Sequence, residues 1–214
     1  MDTVSIERFL VDQVAPRHRA LIPTTLKTAY STARLLADQE PILQVPSAVD
    51  NRGRLISWAV DTAFQRLIVS QQWPVDFRWR DFAKPTGRYL EIRLSHSVVT
   101  ISQISNPKLQ PRDVIFRENA RLVNEKFLFP EMEEERQVSG LPHFLLIHGH
   151  QDLNFAHIAV PHADHGRGYL YRSPNLLLMP HEVPMDEPPS EDTDAEAILT
   201  LKEEIEKWQR DHGE

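Results

Sequence analysis

The chain reads as an α+β protein: N-terminal helices, then a mainly antiparallel sheet, then a C-terminal amphipathic helix. Three observations carry this. Apolar residues recur with a period of 3.6 through the first 70 residues. The period changes to 2 after Pro74. Strands and helices follow one another in blocks, not in β-α-β alternation.

Ser5 to Val14 is expected to be a short helix with Phe9, Leu10 and Val14 on its apolar side, closed by Pro16. A second helix is expected from Pro23-Thr24-Thr25 to Asp38, since Leu26, Ala29, Tyr30, Ala33, Leu36 and Ala37 share one face. Pro41 stops it. The proline-bearing stretch 41–53 ends in the turn sequence Asp50-Asn51-Arg52-Gly53. A third helix, about Leu55 to Ser70, carries the stripe Trp58, Ala59, Ala63, Phe64, Leu67, Ile68.

Val75 to Arg80 alternates, with Val75, Phe77 and Trp79 on one face. Leu90, Ile92 and Leu94 alternate with Tyr89, Glu91 and Arg93. Ser95-His96-Ser97 turns the chain into Val98 to Ile104. This predicts an antiparallel meander of three strands with one buried face. Asp113 to Val123 fits helix and strand equally, and Glu131 to Gln137 reads as an exposed loop or a turn of helix. Further strands are expected at His143–His150, Phe155–Val160, Tyr169–Arg172 and Leu176–Met179.

Residues 1–181 read as a single α+β domain. Residues 182–192 have the composition of an acidic, proline-rich linker. Residues 193–214 read as an acidic amphipathic helix opened by the capping box Thr193-x-x-Glu196. Its stripe Ile198, Leu201, Ile205 and Trp208 must be covered, either by this chain's own domain or by another chain, which makes those four residues the candidate partner-binding surface. Charge follows this division. Residues 182–214 hold twelve acidic and three basic side chains, so they carry −9 of the net −7 and leave the body at +2.

Composition excludes much. With no cysteine there are no disulfides, thiol nucleophiles or cysteine-ligated metals. Only seven glycines are present, and the one close pair, Gly166-Arg167-Gly168, has Tyr171 where a third glycine would complete a dinucleotide-binding fingerprint. No Walker motif and no G-x-S-x-G elbow occurs. The longest apolar runs are about four residues, far short of the roughly 20 of a membrane helix. The first residues show no signal-peptide pattern. The expectation is a cytoplasmic protein that does not enter a membrane.

Three constellations remain. Seven of ten histidines lie between His143 and His181. Within them His148-Gly149-His150-Gln151-Asp152 matches H-x-H-x-D and resembles the start of the metallo-β-lactamase signature, with Leu153 where a final histidine is expected. Two imidazoles two residues apart on a strand point to one side and can share a zinc ion. The resemblance implies a metal-dependent hydrolytic site on His148, His150 and Asp152; a simpler metal site would instead join His148 and His150 with His157, His162 or His165. The plainer reading is strand-end histidines bonded to the main chain.

Asp76, then Glu91-Ile92-Arg93 on the next strand, resembles the PD-(D/E)-x-K nuclease pattern, with arginine where that family has lysine. The resemblance implies a Mg²⁺-dependent phosphodiesterase using Asp76, Glu91 and Arg93. Arginine stabilises charge there but cannot act as a base near neutral pH. The plainer reading is polar outward positions on a strand, with Glu91 paired across the sheet. Arg78, Arg80, Lys84 and Arg88 form a basic cluster suited to phosphate contacts and so to weak nucleic-acid binding. Taken together, the sequence is read first as a non-catalytic interaction or regulatory module that binds a protein partner and needs no cofactor. The Mg²⁺ or Zn²⁺ enzymes stand as alternatives.

Overall fold

A computed structural model of the chain describes residues 3–82, 87–114, 116–118, 120, 121, 124 and 141–180. The chain divides at 181/182 into Met1–His181 and Glu182–Glu214, and all described residues lie in the first unit. The expected linker and the C-terminal helix with Ile198, Leu201, Ile205 and Trp208 lie outside the described residues, as does Lys84.

Helices come first: α1 (Thr3–Gln13), α2 (Pro16–Gln39), the single turn α3 (Pro46–Asp50) and α4 (Arg52–Val69). Helix α2 is a full two turns longer at its start than the periodicity predicts. Pro16 closes nothing; it opens α2 at its first turn, where a missing N–H costs no bond. Pro23 lies within the helix and forfeits only the bond to the Arg19 carbonyl. Residues 46–50 form a helical turn where only a loop was expected.

Six strands follow: β1 (Asp76–Asp81), β2 (Arg88–Arg93), β3 (Val98–Ile104), β4 (His143–Gly149), β5 (Ala156–Pro161) and β6 (Tyr169–Arg172). They form one sheet in chain order. The expected meander is present as β1-β2-β3, and a second, β4-β5-β6, mirrors it. The two meet through a parallel β3–β4 ladder, so the sheet is mixed. The segment expected as a strand at Leu176–Met179 is instead a 3-10 turn, Leu176–Leu178, opened by the Asn175 side chain accepting from the Leu177 N–H.

Helices α1, α2 and α4 cover one face. Leu10, Leu26, Val60 and Phe64 meet Leu90, Ile92, Val99, Phe144, Leu146 and Ile158 in a single core. The other face carries a smaller apolar group, Leu145, Ile147 and Ala159. Within 116–124 the described residues are helical, which resolves the ambiguity over Asp113–Val123. Asn124 clamps the entry to β4 there: its Nδ2 donates to the His143 carbonyl at 2.8 Å, and its Oδ1 accepts from the His143 N–H at 2.5 Å. β4 is buried along its whole length, as expected of a strand covered on both faces. On edge strand β1, Trp79 reaches α4 through its indole N–H, which donates to Gln65 Oε1 at 3.1 Å, and stays 42% exposed.

Two aromatic residues that share the α4 stripe separate in the fold. Phe64 is fully buried, and Trp58 is 63% exposed at the helix's first half. Phe64→Ala is therefore expected to cost about 3–5 kcal/mol of unfolding free energy. Trp58→Ala is expected to stay within about 0.5 kcal/mol of the native protein. Urea denaturation of both variants checks the pair, and comparable losses would contradict this placement of α4.

Candidate functional site: a fork between β2 and β3

Strand β2 pairs with β1 along all six residues, Arg88 to Arg93. Strand β3 pairs with β4 along all seven, Val98 to Ile104. The pairing of β2 with β3 covers only Glu91–Arg93 against Val98–Thr100. Beyond Glu91 and Thr100 the sheet splits. Each strand stays with its full-length partner, and the sheet's twist carries the two halves apart.

Alternation of the ladder tells which main-chain groups face the split. Leu94 N–H bonds to Ser97 at the β2–β3 turn, and Phe82 N–H bonds to Gly87 on the β1 side. Even-numbered residues of β2 therefore face β3, and odd-numbered residues of β3 face β2. Arg88 and Gln103 are the residues aimed across the fork, and among the described residues their inward main-chain groups have no partner in the ladder or in any turn.

The fork opens into a cavity of about 670 Å³. It passes through the sheet. Arg54, Ser57, Trp58 and Asp61 of α4 line it on the helical side, with Leu90, Ile101 and Gln103. Tyr89, Thr100 and Ser102 line the opposite side, together with Arg112, Phe116 and Arg117. The rung that would set Tyr89 beside Ser102 is filled there by the crossover segment. Phe116 stacks on Tyr89 with centroids 4.2 Å apart and 19° between planes, and Phe82 closes the group at 5.2 Å from Tyr89. Arg117 donates from Nη2 to Ser102 Oγ at 3.0 Å and from Nη1 to the Arg112 carbonyl at 2.8 Å.

Among the described residues Arg117 Nε is buried without a hydrogen-bond partner, and Gln103 Nε2 has only the Tyr30 hydroxyl facing it, too far for a good bond. Such groups are costly when left unpaired. Gln103 Oε1 accepts from His150 Nδ1 at 3.0 Å. Gly53 allows that pair to lie under α4, since a Cβ there would sit 2.9 Å from Gln103 Oε1 and 3.0 Å from His150 Cε1.

Burial also sets the charges. Asp61 is pushed up to about 7, with burial the cause and no neighbouring charge offsetting it. Arg117 is lowered to about 10, chiefly by burial, and remains charged at neutral pH. His148 is lowered to about 4 by burial. Its Nδ1 lies 2.7 Å from Tyr30 Oη, and the Tyr30 hydroxyl donates to the Gly149 carbonyl. With that proton committed, Tyr30 Oη accepts from Nδ1–H of His148, which leaves Nε2 as the free acceptor.

The residues singled out from the sequence fall in several places. His148 and His150 both line the fork cavity. Asp152 lines a smaller pocket of about 150 Å³ with Tyr30 and Arg34. His157 pairs with Ile147 and so lies on the sheet face opposite His148, with its Nδ1 2.8 Å from the Ser173 carbonyl. His162 Nδ1 accepts from the Asp164 N–H, and His165 Nε2 lies 2.9 Å from the Pro111 carbonyl. Among the described residues no three His, Asp or Glu side chains come together as a metal site. Asp76, Glu91 and Arg93 share the face away from α4. Asp76 stands opposite Arg93, and Arg78 opposite Glu91. The Glu91 carboxylate pairs with Arg80 at 3.4 Å, and Arg88 pairs with Asp81 at 3.0 Å.

Asp61, Arg117, Phe116, Tyr89 and Gln103 carry no motif. The only sequence signal was Asp61 itself, an acid within one turn of Ala59 and Phe64. One further arrangement pairs a hydroxyl with an imidazole. Thr100 Oγ1 lies 2.8 Å from His143 Nε2, yet His143 Nδ1 is buried without a carboxylate to orient it, and burial lowers this histidine to about 3. A histidine that weakly basic cannot draw a proton from a threonine at neutral pH. No family model, curated protein or solved structure matches the chain.

Both shifts set the pH dependence of folding. His143 and His148 stay neutral in the native protein down to about pH 3–4, while the unfolded chain protonates them below about 6.5. Stability is thus expected to fall as pH drops from 6.5 towards 4. His148→Gln should flatten this slope by about 1 kcal/mol per pH unit near pH 5. Asp61 acts in the opposite direction, since the native state holds its proton up to about pH 7. Asp61→Asn is expected to stabilise by about 1–3 kcal/mol above pH 7 and to have no such effect below pH 4. Urea titrations from pH 4 to 8 read both, and parallel stability curves for the three proteins would refute the assignments.

Proposed function

We propose that the protein is a non-catalytic regulatory module that receives a ligand in the β2/β3 fork and acts through a protein partner. The observation that carries this reading is the fork: a cavity of about 670 Å³ cut through the sheet, with an unpaired guanidinium donor buried in its wall. That volume is in the range of sites that take a small molecule, and the wall is largely polar, with arginines, acids and histidines beside the rings of Tyr89 and Phe116. Catalysis is not part of the reading, because the one threonine–histidine contact at the cavity lacks a basic imidazole. The metal-dependent alternatives are set aside because Glu91 is engaged by Arg80 and the histidines point to different partners.

Ile42, Val45, Val49 and Trp58 are exposed apolar side chains within residues 41–58, and exposed apolar groups favour contact with another protein. The stripe of Ile198, Leu201, Ile205 and Trp208 remains a second contact of the same kind.

Ser57→Trp provides the test. Ser57 lines the cavity and bonds only to the Gly53 carbonyl of its own helix, so indole at this position fills the fork without removing a tertiary bond. Native mass spectrometry after incubation with a deproteinised metabolite extract is expected to show a small molecule retained by the full chain and lost from Ser57→Trp at an unchanged melting temperature. Retention by both proteins, or by neither, would overturn the assignment.

A further inference from the structure

The geometry points to the chemical class of that ligand: an anion carried on a flat aromatic body, an aryl phosphate or an aryl carboxylate. This rests on the fork being a ligand site and goes further than that reading.

The anion is indicated by the arginines of the wall. Arg54, Arg88, Arg112 and Arg117 line the cavity against the acids Asp50 and Asp61, and among the described residues only Arg88 of the four is ion-paired with a carboxylate, that of Asp81. Arg117 is the decisive one. Its guanidinium is buried, its Nη atoms are held by neutral oxygens at 3.0 and 2.8 Å, and its Nε is unpartnered. Asp113, four residues earlier, acts on Arg117 as a nearby negative charge while its carboxylate is bonded by Arg121 at 2.8 Å, and Glu118, the next residue, is exposed. Among the described residues no carboxylate bonds directly to this guanidinium, and one of its donors is unused. A planar oxyanion adds a direct counter-charge and accepts from that donor. Asp61 does not oppose the anion in its neutral form, and its burial favours that form.

The aromatic body is indicated by the wall beside Arg117. Phe116 and Tyr89 already stack at 4.2 Å, and the Arg117 guanidinium carbon lies 5.0 Å from the Phe116 centroid. Flat rings line the space next to the cation, so a ligand ring can join the stack while its anion faces Arg117. The group is neither a lone helix terminus nor a surface lysine cluster; it draws on α4, β2, β3 and the 112–117 segment together.

Calorimetry on the full chain at pH 6 tests this with four probes: phenyl phosphate, benzoate, inorganic phosphate and benzyl alcohol. At least one aryl anion is expected to bind about ten-fold or more tightly than inorganic phosphate and benzyl alcohol, and the stronger of phenyl phosphate and benzoate identifies the anion. The double variant Arg54→Gln, Arg112→Gln, whose side chains are exposed, is expected to weaken that binding about ten-fold at an unchanged melting temperature. Arg117→Lys keeps the charge and loses the fork of donors, and should weaken it as well. Benzyl alcohol binding as tightly as the aryl anions, or inorganic phosphate doing so, would overturn the ligand class while leaving the fork intact as a site. No binding by any probe would overturn the class too. Aryl-anion binding that survives Ser57→Trp would overturn both the class and the fork.

Discussion

Strand β3 has to serve two neighbours that follow different paths. It lies parallel to β4 for seven residues and antiparallel to β2 for three. The parallel ladder is central and buried, so its rungs cannot be left open. The β2 side is less covered, and there the ladder gives way. Everything distinctive about the molecule follows from that choice: the fork, the cavity through the sheet, and the pairing of α4 residues with residues of the crossover segment across a gap that a continuous sheet would have sealed.

Ordinarily a fold closes such a gap with apolar side chains. Here the gap holds a carboxylic acid, a guanidinium and an imidazole, each displaced from its ordinary pKa by burial. They do not neutralise one another. Asp61 has no charged neighbour acting on it, and His148 is tied to Tyr30, 118 residues earlier in the chain. Groups of this kind weaken the folded state, and displaced pKa values gathered in one cavity are a feature that functional sites commonly share.

Local periodicity exposed most of the elements. The meander turned where Ser95-His96-Ser97 predicted, and β3 and β6 span the residues that alternation indicated. Failures came where one residue type has two meanings. Pro16 reads equally as the end of one helix and the start of the next. Leu176-Leu177-Leu178 has strand composition, yet the Asn175 side chain holds it in a 3-10 turn. Trp58 belongs to the apolar stripe of α4 by spacing but overhangs the sheet's split, so nothing buries it. The histidines were visible as a cluster, and the spacing of His148 and His150 rightly put both on one side. Their partners, Tyr30 and Gln103, were not visible.

The sequence by itself determined the helices-then-strands order, the α+β class, the lack of thiol chemistry, and the concentration of acidic charge after residue 181. These depend on composition and on which side of an element is apolar, both of which are local. Only the tertiary structure decided that β4 lies parallel to β3, that β2 leaves β3 after three rungs, and that Arg117 and Asp61 face one cavity. A strand's alternation records that one face is buried; it does not record which neighbour it meets, in which direction, or for how long. Those depend on contacts between segments tens of residues apart, where the gain from packing and the cost of closing the loop are settled for the whole chain at once.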